Sequence, residues 1–344
     1  MIKPKVICLT PVKNEAWILE RFLACASIWA DYIIIADQGS DDGSREIARR
    51  FPKVLLIEND AKEFNEPERQ KLLIDAARRI PGQNLLIALD ADEFLTANFR
   101  SSAEWEMVLR AVPGTVIKFQ WACVLPDRKS YYIFPAEFAL GFMDDGTEHG
   151  GEMIHSPRLP IPENTARISL TGIKVLHLST IDWARFRSKI RWYQAWEFLH
   201  GRWDRRLVPL YRFYHACCCI PPDRVAELPL EWTDGYGPDI SILDVPTEPF
   251  YRWDLEMIRL FGEHGTGKFR QLDLWDVDWN AMHRLIYQSR PLKPIVDPRS
   301  GFDRWVHSRL GKTQRFHALF PPQCSRFERY SEKIFQKVVS LAGW

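Results

Sequence analysis

Two carboxylates one residue apart, Asp90 and Asp92, close an apolar run in the stretch LLIALDADEF. Like charges at the end of a buried strand repel one another and lose hydration, so they need an offset. A divalent cation supplies one, and oxygen donors favour Mg²⁺ or Mn²⁺, ions that also take phosphate oxygens as ligands. The competing role is a turn cap, common for Asp, and so short a pattern does not by itself separate the two. Acidic residues recur after other apolar runs, at Glu15 in TPVKNE, at Asp37 in IIIADQGSDDG and at Asn59-Asp60.

Residues so far apart need a frame that brings them together. Val6 to Leu9, Tyr32 to Ala36, Val54 to Ile57 and Leu85 to Leu89 have the length and composition of buried strands. Between the first two, Ile18, Leu19, Phe22, Leu23 and Ala26 share one helical face. Ser40, Asp41 and Asp42 can cap a helix carrying Ile47, Ala48 and Phe51, and Pro67 opens one with Leu72, Leu73, Ala76 and Ala77 as its stripe. This alternation predicts an α/β fold with a mostly parallel sheet whose post-strand segments gather on one edge, where such sheets bind ligands. A fifth strand is expected from Thr115 to Leu125, followed by an irregular segment to about Pro162. After Val175 to Leu178 the chain turns helical, with Trp183, Phe186, Ile190 and Tyr193 as a stripe, and GYGPD at Gly235 to Asp239 is loop-like.

The 344 residues allow one enlarged domain or a domain with an appendage. A balance of 46 basic against 45 acidic residues gives no global field to gather nucleic acid, so any anion site is local. Seven cysteines, three of them consecutive at Cys217, Cys218 and Cys219, fit neither a disulfide framework nor a zinc site, and the thiols are expected reduced. The opening MIKPKVICLTPVKNE has too short an apolar run for a signal peptide, and no later stretch is long enough to span a bilayer. The expected compartment is the cytoplasm, with the inner face of a membrane as a further location.

LTPVKNEAWILERFL, IIIADQGSDDGS and LLIALDADEF, in that order and each at a strand end, resemble the successive signatures of glycosyltransferase family 2. The resemblance covers residues 1 to about 125 well and weakens to about 200. It implies a GT-A fold, a Rossmann-like sheet flanked by helices, with a catalytic domain over residues 1–178, and the helical pattern beyond it is expected to form a C-terminal extension over 179–344. It also implies inverting transfer from a nucleoside diphosphate sugar, a UDP-sugar first, to a saccharide or lipid-linked acceptor in glycan or surface-polysaccharide assembly. By the same resemblance Pro11, Val12 and Glu15 lie against the nucleoside, Asp37 accepts from the base, and Arg69, with Lys71 as a less certain neighbour, faces the donor. Asp90 contacts the ribose side, and Asp92 with His177 of IKVLHLS holds Mn²⁺ or Mg²⁺. Gln38 departs from the family's DDGS run, where a second Asp is usual.

Such a transfer needs a general base on the opposite face of the sugar. Its candidates lie in GFMDDGTEHGGEMIHSPRLP: Asp145 or Glu148 first, Asp144 and Glu152 as alternates, with His149, His155 and Arg158 ordering the stretch or holding acceptor groups. Arg185, Lys189 and Arg191 are candidates for gripping the leaving diphosphate, with a solvated basic face as the competing role. Gly262 to Lys268 fits GxxxxGK, but Phe269 replaces the metal-binding Ser or Thr, and the preceding WDLEMIRLF is helical in pattern. Asp276-Val-Asp278 has no strand before it and is expected to be a loop or cap. The helical chain from about residue 180 is expected to hold the acceptor side or an oligomer or membrane contact, and its apolar end from Ile334 suits a surface, with core packing as the competing role. The alternative function is a non-catalytic nucleotide-sugar-binding or scaffold module of the same fold.

Overall fold

The computed structural model describes residues 3–61, 65–201, 206–237, 245 and 247–344. The chain divides into two compact units, residues 1–181 with 226–246, and residues 182–225 with 247–344. Pro238 and Asp239 of the expected GYGPD loop lie outside the described residues.

The first unit opens with the expected alternation: β1 (Lys5–Val12), α1 (Ala16–Trp29), β2 (Tyr32–Asp37), α2 (Ser44–Arg49), β3 (Val54–Glu58), α3 (Glu66–Arg78) and β4 (Asn84–Ala88). These four strands are parallel in the order β3-β2-β1-β4. Successive side chains of β1 point to opposite faces, so each face needs its own cover. Val6 and Cys8 join Ile18, Leu19 and Phe22 of α1 in one core, while Ile7 and Leu9 join Leu73, Ile74 and Ala77 of α3 in another. Asn65 caps α3 by accepting the Glu68 N–H at 3.2 Å, with Pro67 in the first turn as expected. Helix α2 starts later than expected, at Ser44 behind Gly43, whose φ of 96° suits glycine.

Beyond β4 come β5 (Glu93–Leu95), α4 (Ala103–Leu109), β6 (Val116–Val124), β7 (Ser130–Met143), β8 (Arg167–Ser169) and β9 (Val175–His177). The sheet continues β4-β7-β6-β9-β5, with β7 antiparallel to both its neighbours, and it remains more parallel than antiparallel. The sequence predicts irregular chain from 126 onward, yet β7 is a long strand. Its alternation is broken by Pro135, Gly141 and register shifts against β6, which a period-two pattern does not show. Gly141 is required there, because a Cβ would stand 2.9 Å from that of Ile117. A short β10 (Ala226–Glu227) pairs with β7 inside the same unit.

The described part of the second unit is helical: α5 (Trp183–His200), α6 (Leu207–Tyr214), α7 (Arg252–His264), α8 (Trp279–Tyr287), α9 (Gly301–Thr313) and α10 (Arg326–Leu341). Its own core gathers Ile190, Tyr211, Met257, Phe261, Phe269, Trp279 and Leu310. The GxxxxGK stretch falls at the end of α7 and runs into a 3₁₀ turn at Thr266–Phe269, without the strand a phosphate-binding loop requires. No helix among the described residues is long and apolar enough to cross a membrane.

Candidate active site

The parallel strands carry the candidates to one edge by register alone. Val12 pairs with Asp37, and Leu9 with Ala88 two residues before Asp90, so Val12, Asp37 and Asp90 share the carboxyl edge. Antiparallel pairing of β5 with β9 sets Glu93 opposite His177. The Leu178 N–H donates to the Asp92 carbonyl at 2.8 Å, and Asp92 Oδ2 lies 4.0 Å from His177 Nε2.

Asp37 is buried, and one carboxylate oxygen is engaged: Oδ2 meets Arg45 Nε at 3.2 Å and accepts the Ser40 N–H at 3.2 Å. Its other oxygen, Oδ1, is buried and has no hydrogen-bond partner among the described residues. Such an orphan acceptor is costly unless something else donates to it. The acidic run that follows serves the fold instead. Asp41 accepts from the Asn14 side chain at 2.8 Å, and Asp42 from the Ala16 N–H at 2.9 Å, clamping the β1–α1 loop where Asn14 has φ 56°. Gln38 donates to the Ala61 carbonyl at 2.9 Å. Pro11 is half-buried opposite Ala36, and Glu15 accepts the Trp17 indole N–H at 2.7 Å.

Around Asp90 the offset to carboxylate repulsion is a side chain that the spacing of Asp90 and Asp92 does not reveal. Arg158 Nη2 donates to Asp90 Oδ2 at 2.8 Å and to Glu93 Oε1 at 2.9 Å, while Nη1 donates to Glu93 Oε2 and, at 3.3 Å, to the Ala88 carbonyl. Burial alone would push this guanidinium down, but the charges of Asp90 and Glu93 outweigh it and hold Arg158 above its ordinary value. Glu93 is fully buried. A cation is therefore not needed to neutralise Asp90, and the case for one narrows to Asp92 with His177.

Trp121 of β6 joins these groups. Its ring lies 4.5 Å from that of His177, stacks on Phe138 at 3.7 Å, and stands 5.9 Å from the Arg158 guanidinium. Its indole N–H is buried without a hydrogen-bond partner among the described residues. Sequence reasoning missed Trp121 and Glu93; the signals were an aromatic at a strand position and the third acid of DADEF.

A cation at Asp92 and His177 would have one oxygen and one nitrogen donor from the protein, a set that suits Mn²⁺ and leaves positions for phosphate oxygens. Among the described residues no group of three or more His, Cys, Asp or Glu side chains stands ready to hold a metal. The donor set thus fits an ion completed by a ligand's own oxygens.

The four base candidates do not come together. Asp144 N–H donates to the Asn84 carbonyl at the start of β4, which puts Asp144 and Asp145 on the amino edge. Six residues of extended chain separate that point from Asp90, roughly 20 Å. Asp144 is held there by Arg78 through contacts of 2.8–3.2 Å. Burial would raise the Asp145 carboxyl, but its hydrogen bonds from Thr147 outweigh that and hold it below the ordinary value, which weakens it as a base. The antiparallel course of β7 is what sets both residues at that edge, away from Asp90.

From there the chain runs back along α3, with Thr147 at Arg78, His149 Nε2 3.0 Å from the Gln70 amide, and the Met153 carbonyl on the Glu66 N–H at 3.3 Å. Glu148 and Glu152 are both exposed, Glu148 partway along this path and Glu152 next to Met153 at the start of α3. There Glu66 accepts the Ser156 N–H at 2.8 Å; burial pushes its carboxyl up, against the charge of nearby Arg69. His155 also lies close enough to Glu66 for its charge to be felt.

In the second unit Arg191 is committed to Asp276 at 2.7 and 2.8 Å, with Arg187 on the same carboxylate at 3.2 Å, which removes it as a diphosphate grip. Asp278 caps α8 through the Asn280 and Ala281 N–H groups. Arg185 stands 5.0 Å over the Trp253 ring, and Lys189 stands 5.8 Å over that of Tyr193.

No family model matches the chain. Among solved structures it is similar to 4-diphosphocytidyl-2C-methyl-D-erythritol synthase, at 14% identity and TM-score 0.26 over 35% of this chain and 61% of that one. It is also similar to glucosyl-3-phosphoglycerate synthase from Mycobacterium tuberculosis, in complex with Mn²⁺, uridine diphosphate and phosphoglyceric acid, at 14% and 0.27 over 34% and 43%. A third is S. aureus TarS 1–349, at 12% and 0.35 over 90% and 91%. The chain spans less than two thirds of the length of the first two. Likeness at these scores carries no argument about activity, and the chemistry of the site rests on its own geometry.

Proposed function

We propose that the chain is an inverting glycosyltransferase of the GT-A type, moving a sugar from a nucleoside diphosphate, a UDP-sugar first, to a saccharide or lipid-linked hydroxyl. The observation that supports this most is the pair of unsatisfied groups on one unit: the buried Asp37 Oδ1 acceptor, and the Trp121 donor beside the Asp92 and His177 pair. A ligand with a donating base at one end and anionic oxygens at the other meets both needs.

In this account Asp37 Oδ1 accepts from the nucleobase, with Pro11, Val12 and Glu15 forming the wall of that pocket. Asp92 and His177 hold Mn²⁺ or Mg²⁺, which when bound supplies Lewis acidity toward the departing diphosphate. Arg158 keeps Asp90 and Glu93 compensated, so that the edge accepts an anion and leaves Asp90 for the ribose side. Arg69 adds positive charge at the start of α3. Glu152 takes the acceptor's proton, and one displacement from the opposite face inverts the anomeric centre.

The test is a panel of nucleoside diphosphate sugars with Mn²⁺, read by thermal shift and by donor hydrolysis or transfer. One donor should raise Tm and be turned over, and Glu152→Gln should lower kcat about a hundredfold or more with donor affinity kept. Binding without turnover for every acceptor would support the non-catalytic alternative. No stabilisation by any donor would overturn both.

A further inference from the structure

Helix α10 buries only part of its circumference. Phe335 and Val339 face the core of the second unit, while Phe327, Tyr330, Ile334, Val338 and Leu341 are exposed, Phe327 at 78% and Leu341 at 84%. These five follow one another at intervals of three and four residues, so they form one continuous stripe. Beside the helix, Trp305 sets its ring 5.8 Å from Phe335 and stacks on Phe302, and both are exposed. An apolar surface of this extent marks an interaction site.

The charges on the helix say what covers it. Arg326, Arg329, Lys333 and Lys337 are exposed and repeat at the same intervals, forming a basic stripe along one flank of the apolar one. The two acids of the helix are turned elsewhere. Glu328 accepts the Ser325 N–H and hydroxyl at the cap, and Glu332 is bound by Arg212 at 2.9 Å and His317 at 3.3 Å. The exposed arc is thus apolar and cationic, without a compensating anion from the helix itself. An anionic bilayer matches both halves, taking aromatic and aliphatic side chains into its interface and pairing its headgroups with Lys and Arg. The apolar and basic stripes run side by side along α10, the arrangement that suits a helix lying in the surface plane.

We propose that α10, with Phe302 and Trp305, is a docking surface for anionic lipid membranes. The proposal stands apart from the donor site and goes beyond the function proposed above. Its test is cosedimentation of the full chain with phosphatidylcholine vesicles, and with vesicles that also contain phosphatidylglycerol. Binding should require the anionic lipid and weaken with salt. Each removed cation should cost about fivefold, so the triple variant Arg329→Gln, Lys333→Gln, Lys337→Gln should bind about a hundredfold more weakly. A second variant, Ile334→Ser with Leu341→Ser, should also lose binding, and circular dichroism should remain that of wild type in both, because every altered residue is exposed. Equal sedimentation with the two vesicle types, or unchanged binding by both variants, would overturn the proposal. Self-association in sedimentation velocity that Ile334→Ser with Leu341→Ser abolishes, without vesicle binding, would overturn it in favour of a second copy.

Discussion

Replacing Arg158 by Met removes the guanidinium that holds Glu93 and Asp90, and it leaves Glu93 as a fully buried carboxylate without its cation. Four donated hydrogen bonds are lost, to Ala88, Asp90 and both oxygens of Glu93. Breaking a buried pair by removing one partner costs about 3–5 kcal/mol. The deficit depends on pH with a definite sign. Burial already holds the Glu93 carboxyl above its ordinary value against the pull of Arg158, and losing Arg158 raises the folded-state pKa further, so the protonated form is more strongly favoured on folding. The variant therefore suffers least below the ordinary carboxylate range and loses stability as pH rises, at about 1.4 kcal/mol per unit until the folded pKa is passed. Arg158→Met with Glu93→Gln should recover much of the loss and abolish the slope, since the amide that replaces the Glu93 carboxylate carries no charge and can still accept the Asp90 N–H. Urea titration with hydrogen exchange at β4 and β9, from pH 5 to 8, reads this locally. A deficit constant across pH, or a double variant that keeps the slope, would refute the reasoning.

Asp144→Asn should cost about 1.5–3 kcal/mol, because its bonds to Arg78 are charge-assisted, and leave kcat of any transfer unchanged; a selective loss of kcat would restore it as a base. Among the cysteines, Cys218 is exposed, and the hydrogen bond from Cys217, outweighing burial and aided by the charges of His215 and Arg187, brings its thiol down to about 6. It should alkylate first with iodoacetamide, with a rate midpoint near that pH that rises in Cys217→Ala, whereas Cys8, Cys25 and Cys123 are pushed up to about 12 by burial and should resist. A Cys218 midpoint in the ordinary thiol range would contradict the geometry.

The first half of the sheet was legible because local pattern determines it. Apolar runs of strand length, the stripe from Ile18 to Ala26 and the Pro67 start each record a nearby constraint. That strands in parallel register bring Val12, Asp37 and Asp90 to one edge then follows from topology. What was not legible depends on distant contacts. Arg158 meets Asp90 from 68 residues away, and nothing in its own neighbourhood announces a partner there. The long β7 hid behind Pro135, Gly141 and its bulged register, and with it went the direction of the chain at Asp144. A strand read as irregular chain gives its end residues no edge, so Asp144 and Asp145 were grouped with Glu152 although the fold separates them. Asp41 and Asp42 mislead for a different reason, since clamping a loop and binding a ligand draw on the same short acidic side chains.

The most direct test of the account is calorimetric titration of UDP into the full chain with and without Mn²⁺, for wild type and Asp92→Asn. Asp92 is one of the two protein donors proposed for the ion, lying 4.0 Å from His177, and the substitution keeps its shape. Mn²⁺ should tighten UDP binding by wild type at least about tenfold, or 1.4 kcal/mol, and Asp92→Asn should bind UDP equally weakly with or without the ion while melting no lower. An Mn²⁺-stimulated affinity left intact in Asp92→Asn would contradict the assignment at its centre.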